Sequence, residues 1–325
     1  MLDLVNEALR EWINPYYYGI FLVMGINMIL AMSLNLVTGF TGQLHLGHAG
    51  FMAIGAYTAG ILATKGGAAF LPAVLAGGVA AAFFGFVVGL PTLRLRGDYL
   101  AIATLGFGEI VRIAILNLDI TGGAFGLRGI PRLTNLPIVI IAVLLTYVIL
   151  HSLIRSRVGR AFIAIREDEV AASAMGIETT RMKVTAFVLA AFFAGVAGGL
   201  YAFWFRFISP GSFGFLLSIE ILSMVVLGGL GNLLGSVLGA GFITYLPELL
   251  RTSVPAVAQH RMVFYGALLV LAMIVRPNGL LGTSSEQGWL EMWLARRKAK
   301  HAARGPARLE AAAPGQDGAD GRSGE

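Results

Sequence analysis

The chain has 325 residues, 57% hydrophobic and only 13% charged, about half the charged share of a soluble domain, with the apolar residues gathered into runs. That balance excludes a soluble catalytic domain and describes one polytopic membrane domain, whose 43 glycines suit close helix contact in lipid. The absence of cysteine excludes disulfides, thiolate metal sites and cysteine catalysis, and the net charge of +6 lies mostly in short loops and the tail, where topology rather than nucleic acid explains it.

Residues 1–15 are expected to form an N-terminal interfacial segment; Asp3, Glu7 and Glu11 replace the basic start of a removable signal peptide. Trp12 and Tyr16 to Tyr18 open the first span as an aromatic belt, and the apolar run continues to about Val37. The stretch T-G-F-T-G-Q-L-H-L-G-H-A-G at 38–50 then breaks the helix, so the second span, resuming at Phe51, is short or discontinuous. Runs over about 72–93 and 99–118 predict spans on either side of a turn carrying Arg94 and Arg96. A glycine-rich loop at 121–131 precedes a span over about 137–154.

A charged island at 155–183 follows. Its basic excess places it in the cytoplasm, together with the C-terminus. A further span, about 184–205, closes on Tyr201, Phe203, Trp204 and Phe205 as a second belt. Short helices over about 218–230 and 237–249 flank a tight turn at 228–236, and a last span covers about 262–275. Residues 284–300 predict an interfacial helix carrying Trp289, Trp293, Arg296, Arg297 and Lys298, and 301–325 a disordered tail. The expected fold is an all-α polytopic membrane protein with eight to ten transmembrane helices over 16–283, at least one of them broken or short.

Three features invite a functional reading. Within the island, Glu167, Asp168 and Glu169 followed by V-A-A-S-A-M and Gly176 describe a helix of two to three turns, acids at its positive end and glycine at its close. Its small apolar face, Val170, Ala171, Ala174 and Met175, suits either a groove on a partner or rest against lipid and the chain's own bundle. The break at 38–50 puts non-helical backbone near membrane depth, which fits a pathway lining or a polar turn at the cytoplasmic interface. Glu109 and Arg112, three apart in the fourth span, can neutralise each other as a structural pair; a proton or ion relay would call for further midplane acids, and none is found.

Two histidines three apart, His45 and His48, do not make a metal site, and no lysine follows a phosphate-binding glycine loop. No nucleophile elbow or zinc motif is present either, so no catalytic, cofactor or metal site is expected in this chain.

The segment S-L-N-L-V-T-G-F-T-G-Q-L-H-L-G-H-A-G-F-M-A-I-G-A-Y at 33–57 resembles the permease subunits of branched-chain amino acid ABC importers. Further blocks agree: G-D-Y-L-A-I-A-T-L-G-F-G-E-I-V-R at 97–112, T-G-G-A-F-G-L-R-G-I-P at 121–131, G-R-A-F-I-A-I-R-E-D-E-V-A-A at 159–172 and L-G-G-L-G-N-L-L-G-S-V-L-G-A at 227–240. The block at 121–131 points to the M-type of the family's two related subunits. The resemblance implies an inner-membrane permease that forms half of a translocation path. Its implied partners are a second related permease, two cytoplasmic ATPases that bind ATP and magnesium, a periplasmic amino-acid-binding protein, and membrane lipid.

Carried over residue by residue, the resemblance implies that Arg160, Arg166, Glu167, Asp168, Glu169, Ala171, Ala172 and Gly176 contact an ATPase. It implies that Gly39, Gly42, Gln43, Gly47 and His48 lie on the path. His45 stands where the family is expected to carry a small polar residue such as serine, and Asn232 to Ser236 depart from its usual G-S-L-x-G-P. Permeases for urea or short amides share much of the pattern and form the alternative within this class. An ion-coupled secondary transporter is the alternative from another.

Overall fold

The computed structural model describes residues 14–92, 95, 97–253 and 266. Almost all of 1–15 and 262–275, the stretches 284–300 and 301–325, and Arg94 and Arg96 lie outside the described residues. The first helix, α1 (Pro15–Asn35), begins where the Asn14 side chain accepts the Tyr16 N–H at 3.1 Å and proline takes the first helical position. A π-helical turn, Leu36–Phe40, extends it; residues 41–47 are non-helical, and α2 (His48–Thr64) resumes. Then come α3 (Phe70–Thr92), α4 (Asp98–Asn117) and α5 (Leu136–Arg155).

The island folds as two short helices, α6 (Arg157–Glu167) and α7 (Glu169–Ala174), before the long α8 (Thr179–Phe205). α9 (Phe215–Gly228) and α10 (Leu233–Ser253) form a hairpin. Among the described residues, six helices are long and apolar enough to cross a membrane: α1 with its π turn, α3, α4, α5, α8, and α9 with its preceding turn. The expected break falls where the sequence placed it, and it leaves α2 with 17 residues.

α1 and α8 run through the middle of the bundle. Their apolar windows are 67% and 72% buried, against 22% for α5, whose Ile141, Leu144 and Leu145 face outward. Helices come this close because glycine replaces side chains at the contacts. A Cβ on Gly55 of α2 would strike the backbone of Gly195 in α8, and one on Gly198 the carbonyl of Met52. One on Gly77 of α3 would lie 2.6 Å from the carbonyl of Gly55. In lipid, where apolar burial does not drive helices together, such backbone approach supplies the packing.

Three expectations change. The all-α fold carries a two-residue ladder at the end of the bundle away from the island: β1 (Leu127–Arg128) pairs antiparallel with β2 (Phe207–Ile208), Leu127 opposite Ile208. Tyr18 is not on a belt facing lipid but 2% exposed, its hydroxyl accepting the Leu136 N–H at 2.8 Å and its ring 6.0 Å from Trp204. Phe203 is likewise buried, because α8 is surrounded by helices rather than by lipid. Finally, the single helix expected over 167–176 is interrupted. Asp168 leaves helical geometry at φ −155° and caps α7, its Oδ1 accepting the Val170 and Ala171 N–H groups at 2.8 and 3.0 Å. Glu167 therefore ends α6, while Gly176, at φ +84°, follows α7 as expected.

Candidate translocation and coupling site

The break after α1 and the turn after α9 meet. An added Cβ on Gly39 would strike both the Gly231 nitrogen and the Asn35 side chain. Asn35 joins the two segments: its Nδ2 donates to the Asn232 carbonyl at 2.9 Å and to Ser236 Oγ at 2.6 Å, while its Oδ1 accepts the Gly231 N–H at 2.9 Å. Asn35 and Ser236 are fully buried, and Asn35 supplies the acceptor for the Gly231 N–H, a backbone group that the turn after α9 would otherwise orphan.

From Phe40 the non-helical strand climbs along α4. Leu46 N–H donates to Thr104 Oγ1 at 3.1 Å, and Gly47 presses on the Thr104 carbonyl so closely that no side chain would fit. His48 then opens α2, Nε2 2.9 Å from Ser33 Oγ. Gln43, His45 and His48 are each at most 5% exposed. Neither the Gln43 amide nor either ring nitrogen of His45 has a hydrogen-bond partner among the described residues. His45 instead stacks on Phe51 at 5.6 Å and meets the Phe187 ring at 4.8 Å, with Phe51 and Phe187 themselves 5.4 Å apart. The result is a buried aromatic cluster at the helix break, holding polar groups with no hydrogen-bond partner among the described residues.

Below it, a cavity of about 150 Å³ is lined by Thr41, Gly42, Gln43, Arg166, Glu169 and Lys183 among others. Lys183, only 9% exposed, pairs with Glu169 at 2.6 Å and ties α7 to α8. Arg166 Nη1 donates to the Gly39 carbonyl at 3.0 Å, and Nε and Nη2 donate to Glu167 Oε1 at 3.2 and 2.8 Å.

The residues expected to contact an ATPase thus divide. Arg160, Glu167, Asp168, Ala171 and Gly176 are exposed, joined by Val170 at 66% and Met175 at 84%. Arg166, Glu169 and Ala172 turn inward; Ala172 is 4% exposed, because α7 rests one face on the body of the chain. Of the two readings of α7, rest against the chain's own bundle is seen on the Ala172 side, while Val170, Ala171 and Met175 stay exposed on the other. All five expected path residues, Gly39, Gly42, Gln43, Gly47 and His48, lie along the break. Asn35, Ser33 and Thr104, which hold that break in place, were not singled out, although polar residues inside apolar runs were the available signal. Glu109 and Arg112 do pair, Arg112 Nε donating to Glu109 Oε1 at 2.8 Å, on a half-exposed face of α4 rather than in the interior.

Six helices long and apolar enough to cross a membrane, with irregular backbone packed between them, describe a multi-pass membrane protein. Residues 16–273 match the family described as the branched-chain amino acid transport system permease component, and the chain belongs to that family. It is 40% identical to the high-affinity branched-chain amino acid transport system permease protein LivM of Salmonella typhimurium, over 81% of this chain and 69% of the relative, and equally to LivM of Escherichia coli K12. To LivH of Escherichia coli K12 it is 37% identical over 39% of this chain and 40% of that protein. No solved structure matches.

Proposed function

We propose that this chain is a permease subunit of an ATP-driven importer for branched-chain amino acids and supplies half of its translocation path. The observation that carries this reading is the break at 41–47: irregular backbone packed among the helices, with Gln43 and His45 buried and their side chains without a hydrogen-bond partner among the described residues. Such polar groups are retained at membrane depth when another conformation uses them. Glycine-flanked backbone dipoles there suit the charged ends of a zwitterion, and the aromatic walls of Phe51 and Phe187 suit an aliphatic side chain.

In this reading the permease body spans 16–283 and crosses the inner membrane eight to ten times, with the island and the C-terminus cytoplasmic. A second related permease completes the path, a periplasmic binding protein delivers the amino acid, and two cytoplasmic ATPases supply ATP hydrolysis; this chain performs none. The exposed face of α7, Val170, Ala171 and Met175, is where an ATPase would seat. Closure of the ATPase dimer would then displace α7 and switch access between the two sides.

The test is reconstitution of the full complex in vesicles with labelled leucine. Uptake that requires ATP and the ATPases, and that is competed by valine but not by urea, is the expected result. Accumulation of leucine on an ion gradient without the ATPases would refute it.

A further inference from the structure

We infer that Arg166 is a positioning residue that transmits movement of the exposed island to the helix breaks, and is not itself a contact for the partner ATPase. This rests on the ATP-driven reading given above. Arg166 sits in the last turn of α6, yet its guanidinium leaves the island's surface and enters the crossing of the two interrupted segments. There it donates to the Gly39 carbonyl at 3.0 Å, while its stem lies on Gly42, where a Cβ would come within 3.0 Å of Arg166 Cγ. Its Nη1 fills the space beside Gly231, where a Cβ would approach to 2.6 Å. Gly42 and Gly231 both have positive φ, 70° and 77°, so neither position readily takes a side chain that would displace the guanidinium.

One planar cation therefore touches the break after α1 and the turn after α9 together. Glu167 holds its other edge through two hydrogen bonds to one oxygen. Glu167 is also the last residue before the Asp168 joint that starts α7. A push on Val170 and Met175 thus reaches Gly39 through one joint and one side chain. Lysine would keep the charge but lose the fork that spans Gly39 and Glu167 at once. The Arg166 side chain is 31% exposed against 69% for Glu167, so most of it faces the helix break rather than the surface on which an ATPase would sit.

The experiment uses the full complex in vesicles and reads two quantities, leucine taken up per ATP hydrolysed and the amount of ATPase that co-purifies. Arg166→Gln and Arg166→Lys are expected to keep wild-type ATPase association and continue hydrolysis. Their uptake per ATP should fall at least about tenfold, on the scale of one lost hydrogen bond to a charged group. Loss of ATPase association in Arg166→Gln would overturn the inference by making the residue a docking contact, as would an unchanged uptake-to-hydrolysis ratio. Should the Arg166 variants fail to insert, Glu167→Gln tests the same link from the exposed side. A lowered ratio with normal association supports the link, and a normal ratio overturns it. A wild-type complex whose uptake needs no ATP would instead refute the proposed function, whatever Arg166 does.

Discussion

Asn35→Ala removes three hydrogen bonds made by a fully buried side chain, and the outcome can be worked bond by bond. The Ser236 hydroxyl and the Asn232 carbonyl retain each other at 3.2 Å, so losing Asn35 Nδ2 costs them one partner apiece. Such bonds average about 0.6 kcal/mol in membrane proteins, roughly 1 kcal/mol for the two. The Gly231 N–H is different: Asn35 Oδ1 is the acceptor it has, and orphaning this part-buried donor costs up to about 1–3 kcal/mol. The sum is on the order of 2–4 kcal/mol. Ser236→Ala, which deletes two bonds and orphans no backbone group, should cost only about 1 kcal/mol. Unfolding of the purified chain in mixed micelles, followed by helical circular dichroism against rising denaturing detergent, compares the two. If Asn35→Ala is no more destabilised than Ser236→Ala, the idea that Asn35 closes both interruptions is wrong.

Ala171→Trp should leave insertion and yield intact but cut co-purification of the ATPases at least about tenfold, whereas Ala172→Trp, on the buried side of α7, should lower the stability of the chain itself by about 1–3 kcal/mol. Equal behaviour of the two variants in a pull-down would count against the two-faced α7. Lys183→Met removes the ion-pair partner that Glu169 has at 2.6 Å and should destabilise by about 1–3 kcal/mol, with Lys183→Met/Glu169→Gln recovering part of the loss. A double variant no better than the single would argue that the pair does not hold α7 to α8. Gly198→Leu drives a side chain into the Met52 carbonyl and should abolish a folded monodisperse species in size-exclusion chromatography; a normal profile would contradict the glycine-mediated contact.

The interruption at 38–50 was legible because Gly39, Gly42 and Gly47, together with Gln43 and His45, stand inside otherwise apolar sequence, and lipid leaves few structures for such a segment. Its partner was not legible. Asn35 and Asn232 lie 197 residues apart, and Arg166 and Gly39 127 apart, and nothing in local periodicity encodes such a meeting. The island was recognised by its charge, yet its helix boundaries were misplaced. Three consecutive acids can each begin a helix, and only the fold decides that Asp168 supplies the cap. The preceding α6 did carry a signal in Phe162 and Ile165, three apart and both buried, with Arg160 and Glu167 exposed. Tyr18 illustrates the opposite error: an aromatic at a span's start suits a membrane interface, but its hydroxyl found the Leu136 amide and the ring went inward.

The contacts among Gly55, Gly77, Gly195 and Gly198 set backbone against backbone with no side chain between. A shear motion needs side chains that can change rotamer as one helix slides past another, and these four positions offer none. α2, α3 and α8 are therefore locked as a single slab. In the proposed transport cycle, a change of access that keeps this slab intact falls to the helices around it, and the place where Gly39 and Gly231 cross is one that α1 and the α9–α10 hairpin share.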